Sequence, residues 1–292
     1  MRLSRTIFMT DPSPTTEVSI WRLTASGDSD QRRDVLAVEE PLEIRVEGRS
    51  IAVTMRTPGH DRELVAGFLL SEGVIQSARD VFEISTCPSA TDGNVVDVIL
   101  TEPERVDFAK LTRHVFTSSS CGMCGKASLE AALQSFPALE PATEAVISVT
   151  DLLALPDRLR ENQAAFSTTG GIHASALFDF SGRLLMVRED VGRHNALDKI
   201  LGACLLKNKF PLEETILLLS GRVSFELMQK ALAARIPIVA AVGAPSSLAV
   251  SFAQVSGQTL LGFIRDARCN LYAGGLRIRG TDGLPFLGGG LG

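Results

Sequence analysis

No stretch of this chain reads as a membrane span. The apolar run in "TILLLSG" breaks at Ser220 and Gly221, far short of the roughly 20 apolar residues a bilayer requires. The first residues, "MRLSRTIFMTDPSPTTE", hold two arginines but lack the apolar centre of a signal peptide, so the expected location is cytoplasmic. An excess of positive charge is missing too. A net charge of −5 argues against a general polyanion binder, so nucleic acid is not an expected partner, although a local arginine cluster still suits a phosphate group. Cysteine is scarce and odd in number, at positions 87, 121, 124, 204 and 269. That count and its wide spacing exclude a disulfide scaffold, and a reducing compartment keeps such residues as thiols. No low-complexity core or solenoid repeat is visible.

What is present is a chain of 292 residues, 45% of them hydrophobic, long enough for two domains with a substantial core. Residues 1–16 are polar with Pro12 and Pro14, and residues 281–292 are glycine-rich; both read as mobile tails. Residues 17–128 read as a small α+β domain. The alternation in "LEIRVEGRSIAVTMRT" predicts a hairpin turning at Glu47-Gly48, and "DRELVAGFLLSEGVI" predicts a helix capped by Asp61, with strands following in "VFEIST" and "NVVDVILTE". Residues 129–280 alternate strands with helices, which predicts an α/β domain with a mixed, mostly parallel sheet and flanking helices. Ligands of open α/β sheets gather at the carboxyl ends of strands. Asp190, Ser220-Gly221-Arg222, Gly243 and Arg265-Asp266-Ala267-Arg268 all fall at such ends.

The segment "TSSSCGMCGK", residues 117–126, closes the smaller domain with two cysteines three apart, in a loop before the predicted helix "KASLEAALQSF". A structural zinc site needs four ligands, and only one close pair exists. The zinc deaminase signature is also absent: His173 is followed by Ala174 and Ser175 instead of leading a His-x-Glu segment, and Ser120 stands where proline precedes the first cysteine. No metal is therefore expected. A thioredoxin-like pair follows a strand directly, whereas "HVFTSSSC" is too polar for one. Two thiols near a helix amino terminus and Lys126 gain thiolate character, which suits nucleophilic chemistry; ordinary free thiols are the plain alternative.

Five motifs in order, "SSSCGMCGK", "STTGGIHASALFD", "REDVGRHNALDKILG", "LSGRVSFELMQKAL" and "GFIRDARCNLYAG", resemble the FdhD family of formate dehydrogenase accessory sulfurtransferases. The likeness runs from about residue 57 to 274. It implies a sulfurtransferase that takes persulfide sulfur from a cysteine desulfurase and passes it to the molybdenum of bis-molybdopterin guanine dinucleotide, on which formate dehydrogenase depends. It implies that Cys121 carries the persulfide with Cys124 as its companion, and that the larger domain is cytidine-deaminase-like. It also maps cofactor binding onto Phe263, Ile264, Arg265, Asp266, Ala267 and Arg268, and implies a homodimer. A cofactor-binding chaperone without sulfur transfer, or a thiol-disulfide oxidoreductase, are the alternative functions.

Four further residues are candidate cofactor contacts. Asp190 and Glu189 suit the amino group and ring nitrogen of guanine or, in the plainer reading, the helix amino terminus that follows them. His194, beside Arg193 at a predicted helix start, suits the cofactor or a capping role. Ser220 and Arg222 flank a glycine in what reads as an anion cradle or a plain helix cap.

Overall fold

The structure, a computed structural model, describes residues 13–86, 94–106, 108, 125–144 and 146–286. Strands β1 (Thr15–Leu23) and β2 (Ser29–Ala37) pair as an antiparallel hairpin. It begins inside the stretch expected to be a tail and holds Trp21 and Leu23 largely exposed. Strands β3 (Glu40–Val46) and β4 (Arg49–Arg56) form the expected hairpin. Its turn residues Glu47 and Gly48 have φ of 52° and 71°, the left-handed pair that a two-residue hairpin needs. Helix α1 (Asp61–Ser71) follows, then β5 (Val81–Thr86) and β6 (Val95–Leu100), completing a four-stranded sheet in the order β4-β3-β6-β5. His60, not Asp61, is the cap residue of α1. Asp61 instead takes two hydrogen bonds from the buried Arg56 guanidinium, at 3.0 and 2.9 Å.

After α2 (Gly125–Ser135) come the two-residue β7 (Ile147–Ser148) and three short helices, α3 (Val149–Leu153), α4 (Leu155–Arg160) and α5 (Ala164–Thr169). The main sheet is built from β8 (His173–Asp179), β9 (Leu184–Asp190), β10 (Thr215–Leu219), β11 (Ile238–Ala241), β12 (Thr259–Arg265) and β13 (Arg268–Ala273). Helices α6 (Arg193–Leu206), α7 (Phe225–Ala233) and α8 (Ser247–Ser256) connect its strands, and β14 (Ile278–Arg279) pairs with β7.

The sheet order is β13-β12-β11-β10-β8-β9. Only β10–β11 and β11–β12 are parallel, while β9–β8, β8–β10 and β12–β13 are antiparallel. The sheet is therefore mixed, and the expectation of a mostly parallel one is corrected. The reason is local: each flank of the parallel centre is a tight hairpin, which needs only a few residues where a parallel connection needs a crossover. Residues 281–286, expected to be tail, fold back onto β14, with the Phe286 N–H donating to the Ile278 carbonyl at 3.0 Å.

Side chains alternate across the sheet as the period of two requires. Leu217, Leu219 and Val239 face a core shared with the four-stranded sheet, including Leu42, Ile44 and Val96. Ile216, Leu218 and Ile238 face the other way, onto Leu152, Leu155 and Leu159 of α3 and α4. Helices α1 and α6 meet at two glycines. A Cβ on Gly67 would lie 1.9 Å from the Asp198 carbonyl oxygen, and one on Gly202 would lie 1.8 Å from that of Glu63. Only glycine permits this backbone approach.

Candidate functional site

Three loops follow the parallel strands, and backbone bonds lock them together. The Gly243 N–H donates to the Gly221 carbonyl at 3.1 Å, and the Phe263 N–H donates to the Gly243 carbonyl at 3.0 Å. A Cβ on Gly243 would meet Gly221 O at 2.7 Å, so the close ladder depends on its absence. Over these strand ends lies a cavity of about 730 Å³, with Ser220, Val242 and residues 264–267 on one side and α4, α5 and Gly170–His173 on the other.

The segment "FIRDAR" is the end of a hairpin. Arg265 and Arg268 are a cross-strand pair, and Asp266 and Ala267 make the two-residue turn with φ of 53° and 54°. The register shifts between Gly262 and Arg265, where Phe263 has φ 54°. Three non-glycine residues within five positions thus occupy the left-handed region, at an expense on the order of 1–3 kcal/mol each. Such strain persists only where the surroundings impose it, and it gathers at ligand sites. Ile264 is fully buried and anchors the segment in the core. Ile264, Arg265, Asp266 and Ala267 line the cavity, whereas Phe263 and Arg268 do not. Arg265 lies over the Phe263 ring, 5.7 Å from its centroid. The Arg268 and Asp266 side chains are 4.0 Å apart and mostly exposed, a geometry that contributes little to stability.

The other expected contacts are distributed differently. Ser220 lines the cavity, but its hydroxyl accepts the Ala174 N–H at 2.9 Å. Helix α7 begins only at Phe225, so residues 220–222 are not its cap. Arg222 is exposed and outside the cavity lining. Its charge, after burial and the charge of Arg193, lowers the pKa of His173. His173 is a cavity residue that sequence reasoning left without a role.

Asp190 is not a ligand contact in this structure. It is 0% exposed, and its carboxylate accepts from the N–H groups of Thr57 (3.1 Å) and Gly192 (2.8 Å), from Asn195 Nδ2 (3.0 Å) and from Lys199 Nζ at 2.7 Å. Lys199 donates to the Thr57 carbonyl at 2.8 Å, and Asn195 to the Met55 carbonyl at 2.8 Å. Asp190, Asn195 and Lys199 therefore form a seam to Met55, at the end of β4, and to Thr57 just after it. Glu189 accepts the N–H groups of Ala165 and Phe166 at 2.9 and 2.8 Å, at the amino terminus of α5 and not of α6, the helix that follows it in sequence.

His194 lines a second cavity of about 740 Å³, between β4, α1, α6 and α7. Burial, reinforced by Arg193 and Lys230, pushes its pKa from 6.5 down to about 4. The ring is neutral near pH 7 and shares a 3.3 Å hydrogen bond with the Ser224 hydroxyl. As pH falls through 6.5 the unfolded chain takes up a proton that the folded chain refuses until about 4. Stability should therefore decline across that window. Chemical denaturation of His194→Gln over the same range should show a shallower decline, and an unchanged slope would exclude the histidine.

Cys121 and Cys124 lie outside the described residues, as does Cys87. Among the described residues Cys204 is buried and Cys269 is half-buried, and burial pushes both thiols up. No group of three or more His, Cys, Asp or Glu side chains among the described residues is arranged to hold a metal ion. No described helix is long and apolar enough to cross a membrane.

A mixed α/β protein with a strained hairpin tip over a cavity at the ends of its parallel strands is the class that fold and site define. The chain matches the FdhD/NarQ family over residues 37–279 and belongs to it. It is 52% identical over 258 residues to the sulfur carrier protein FdhD of Streptomyces coelicolor, covering 86% of this chain and 92% of that one. It is 44% identical over 239 residues to that of Sulfolobus acidocaldarius, covering 82% and 89%. A crystal structure of a formate dehydrogenase accessory protein from Desulfotalea psychrophila superposes with a TM-score of 0.71 at 25% identity, covering 91% of this chain and all of that one.

Proposed function

We propose that this protein is a sulfur carrier for the maturation of formate dehydrogenase, working in the cytoplasm. Cys121 accepts sulfur from a cysteine desulfurase, and the recipient is the molybdenum of bis-molybdopterin guanine dinucleotide, bound as substrate. The observation that carries this reading is the conjunction of one close thiol pair, Cys121 and Cys124, with a strained arginine-bearing hairpin tip over a cavity of about 730 Å³. Relatives named sulfur carrier proteins and a structural neighbour named a formate dehydrogenase accessory protein support it.

The chemistry follows from thiolate reactivity. The Cys121 thiolate attacks the outer sulfur of the donor's persulfide; the new S–S bond forms as the donor's S–S bond breaks, and the donor cysteine leaves as thiolate. Cys124 thiolate then attacks the inner sulfur of the Cys121 persulfide, releasing hydrosulfide to the metal and leaving a Cys121–Cys124 disulfide. A cellular dithiol resets the pair by taking over that disulfide. The sheet β9-β8-β10-β11-β12 with its helices is the part we read as cytidine-deaminase-like, its cavity holding a guanine nucleotide where a deaminase holds its base. The working unit is a homodimer, and the smaller domain brings the thiols while the larger holds the cofactor.

Incubation with a desulfurase and cysteine should add one sulfur atom to Cys121 by mass spectrometry. A chain that never gains sulfur is a chaperone or an oxidoreductase instead. The cavity assignment predicts that Arg265→Ala weakens GDP binding by about 1–3 kcal/mol through a lost charge-assisted hydrogen bond. Arg268→Ala should matter less, because Arg268 does not line the cavity. Titration calorimetry showing equal, undiminished affinity in both variants would sink the assignment.

A further inference from the structure

We propose that Glu189 is a positioning residue for the nucleotide cavity: its carboxylate holds helix α5 in place as part of the wall that meets the ligand. The inference rests on the nucleotide reading above and adds a residue that touches no ligand. Glu189 does not line the cavity, whereas Phe166 of α5, Gln163 before it and Gly170 and Gly171 after it all do.

Little else holds this helix. It spans six residues, Ala164–Thr169, and buries only Ala165. A helix this short is unstable by itself, because its first turn fixes several residues for a single hydrogen bond. One buried methyl group does not make up the difference. The sequence "AAFSTT" puts no acidic residue in the first turn, and Gln163 at the cap position makes no side-chain capping bond. Strand β2 also touches α5, but none of its residues is buried. At the far end the Gly170 N–H closes on the Phe166 carbonyl at 2.8 Å, which shapes the turn without tying it to another element.

The cap is imported from β9. Glu189 takes the Ala165 N–H on one oxygen at 2.9 Å and the Phe166 N–H on the other at 2.8 Å. Among the described residues these are the only hydrogen bonds that tie residues 164–169 to another strand or helix. Bonds to an ionised acceptor are about twice as strong as neutral ones, and a negative charge at a helix amino terminus is favourable in itself.

The anchor is itself fixed. Glu189 pairs with Ala174 across β9 and β8, so its side chain shares the sheet face of the core that Ala174 joins. Asp190, next along the strand, points to the other face. There its carboxylate binds Thr57, Gly192, Asn195 and Lys199, and Lys199 Nζ also reaches the Glu189 carbonyl at 3.4 Å. The end of β9 is thus held from one side of the sheet and holds α5 on the other. Binding sites depend on such supporting contacts to keep their walls in the productive geometry. With Glu189 in place α5 is formed before the ligand arrives. A variant that forms it about a tenth of the time binds about tenfold more weakly, although no ligand contact is removed.

The test combines amide hydrogen exchange and GDP titration calorimetry on the full chain, for the parent, Glu189→Ala and Glu189→Gln. Circular dichroism and thermal melting verify folding, and Glu189→Gln, equal in size, carries the comparison if the alanine variant does not fold. In both variants the amides of residues 164–170 should exchange faster, about tenfold in Glu189→Ala, while those of β8 and β10 stay protected. GDP affinity should fall about tenfold in Glu189→Ala and by less in Glu189→Gln, which keeps one acceptor oxygen. Exchange at 164–170 equal in parent and variants overturns the inference and leaves the nucleotide reading standing. So does undiminished GDP affinity in a variant whose α5 exchanges faster, or faster exchange spread equally over β8 and β10. A parent that binds no GDP overturns the nucleotide reading itself, and this inference with it.

Discussion

Cys121→Ala is expected to abolish persulfide formation on this chain and the activation of formate dehydrogenase, on the order of a thousandfold or more for loss of a nucleophile. The far-ultraviolet circular dichroism spectrum should not change. The segment "TSSSCGMCGK" surrounds the thiol with serine and glycine, which imply no packing role for it. Nor can the described cysteines substitute. Cys204 is buried, Cys269 is half-buried, and burial pushes both thiols away from the thiolate form that attacks sulfur. Cys124→Ala should separate the two steps, still accepting one sulfur but releasing it slowly. If the Cys121 variant continues to accumulate persulfide and support the enzyme, another residue is the carrier.

The second large effect concerns stability. Asp190→Ala should destabilise the fold by about 3–5 kcal/mol, because it leaves Lys199, 1% exposed, as an unpaired buried cation. Three further donors, the N–H groups of Thr57 and Gly192 and the Asn195 amide, lose their acceptor. The denaturation midpoint in urea should fall sharply. Pairing the change with Lys199→Met should recover part of the loss, since the stranded charge is then removed as well. A variant with unchanged stability and lost nucleotide affinity would instead return Asp190 to the ligand site.

Much of the fold was legible where one rule governed. Strand β5 spans the residues of "VFEIST" that the apolar pattern predicts, and the Glu47-Gly48 turn follows from the conformations its residues tolerate. Strand β13 was not legible, since "RCNLYA" is largely exposed and carries no buried face. Helices α3, α4 and α5 are five or six residues long, too short for helical periodicity to register. The site was legible in proportion to its dependence on strand ends. Ser220 and residues 264–267 line the cavity as that rule predicts, while Phe166 comes from the unpredicted α5 and Gln163 from the turn before it. Asp190 misled because sequence cannot distinguish a carboxylate waiting for a ligand from one already fully bonded. Its partner Thr57 is 133 residues away.

The glycine contact between α1 and α6 bears on the order of folding during synthesis. The Ser71 hydroxyl donates to Asp198 across 127 residues of chain, and Leu64, Val65 and Leu69 complete their burial in the core to which α6 contributes. At about 5–20 residues per second, the first half emerges from the ribosome several seconds before α6 exists to cover it. During that interval the face of α1 is apolar and open, and contacts this distant in sequence form slowly. A chain shortened before Arg193 thus keeps that face uncovered and is a substrate for chaperones or for aggregation.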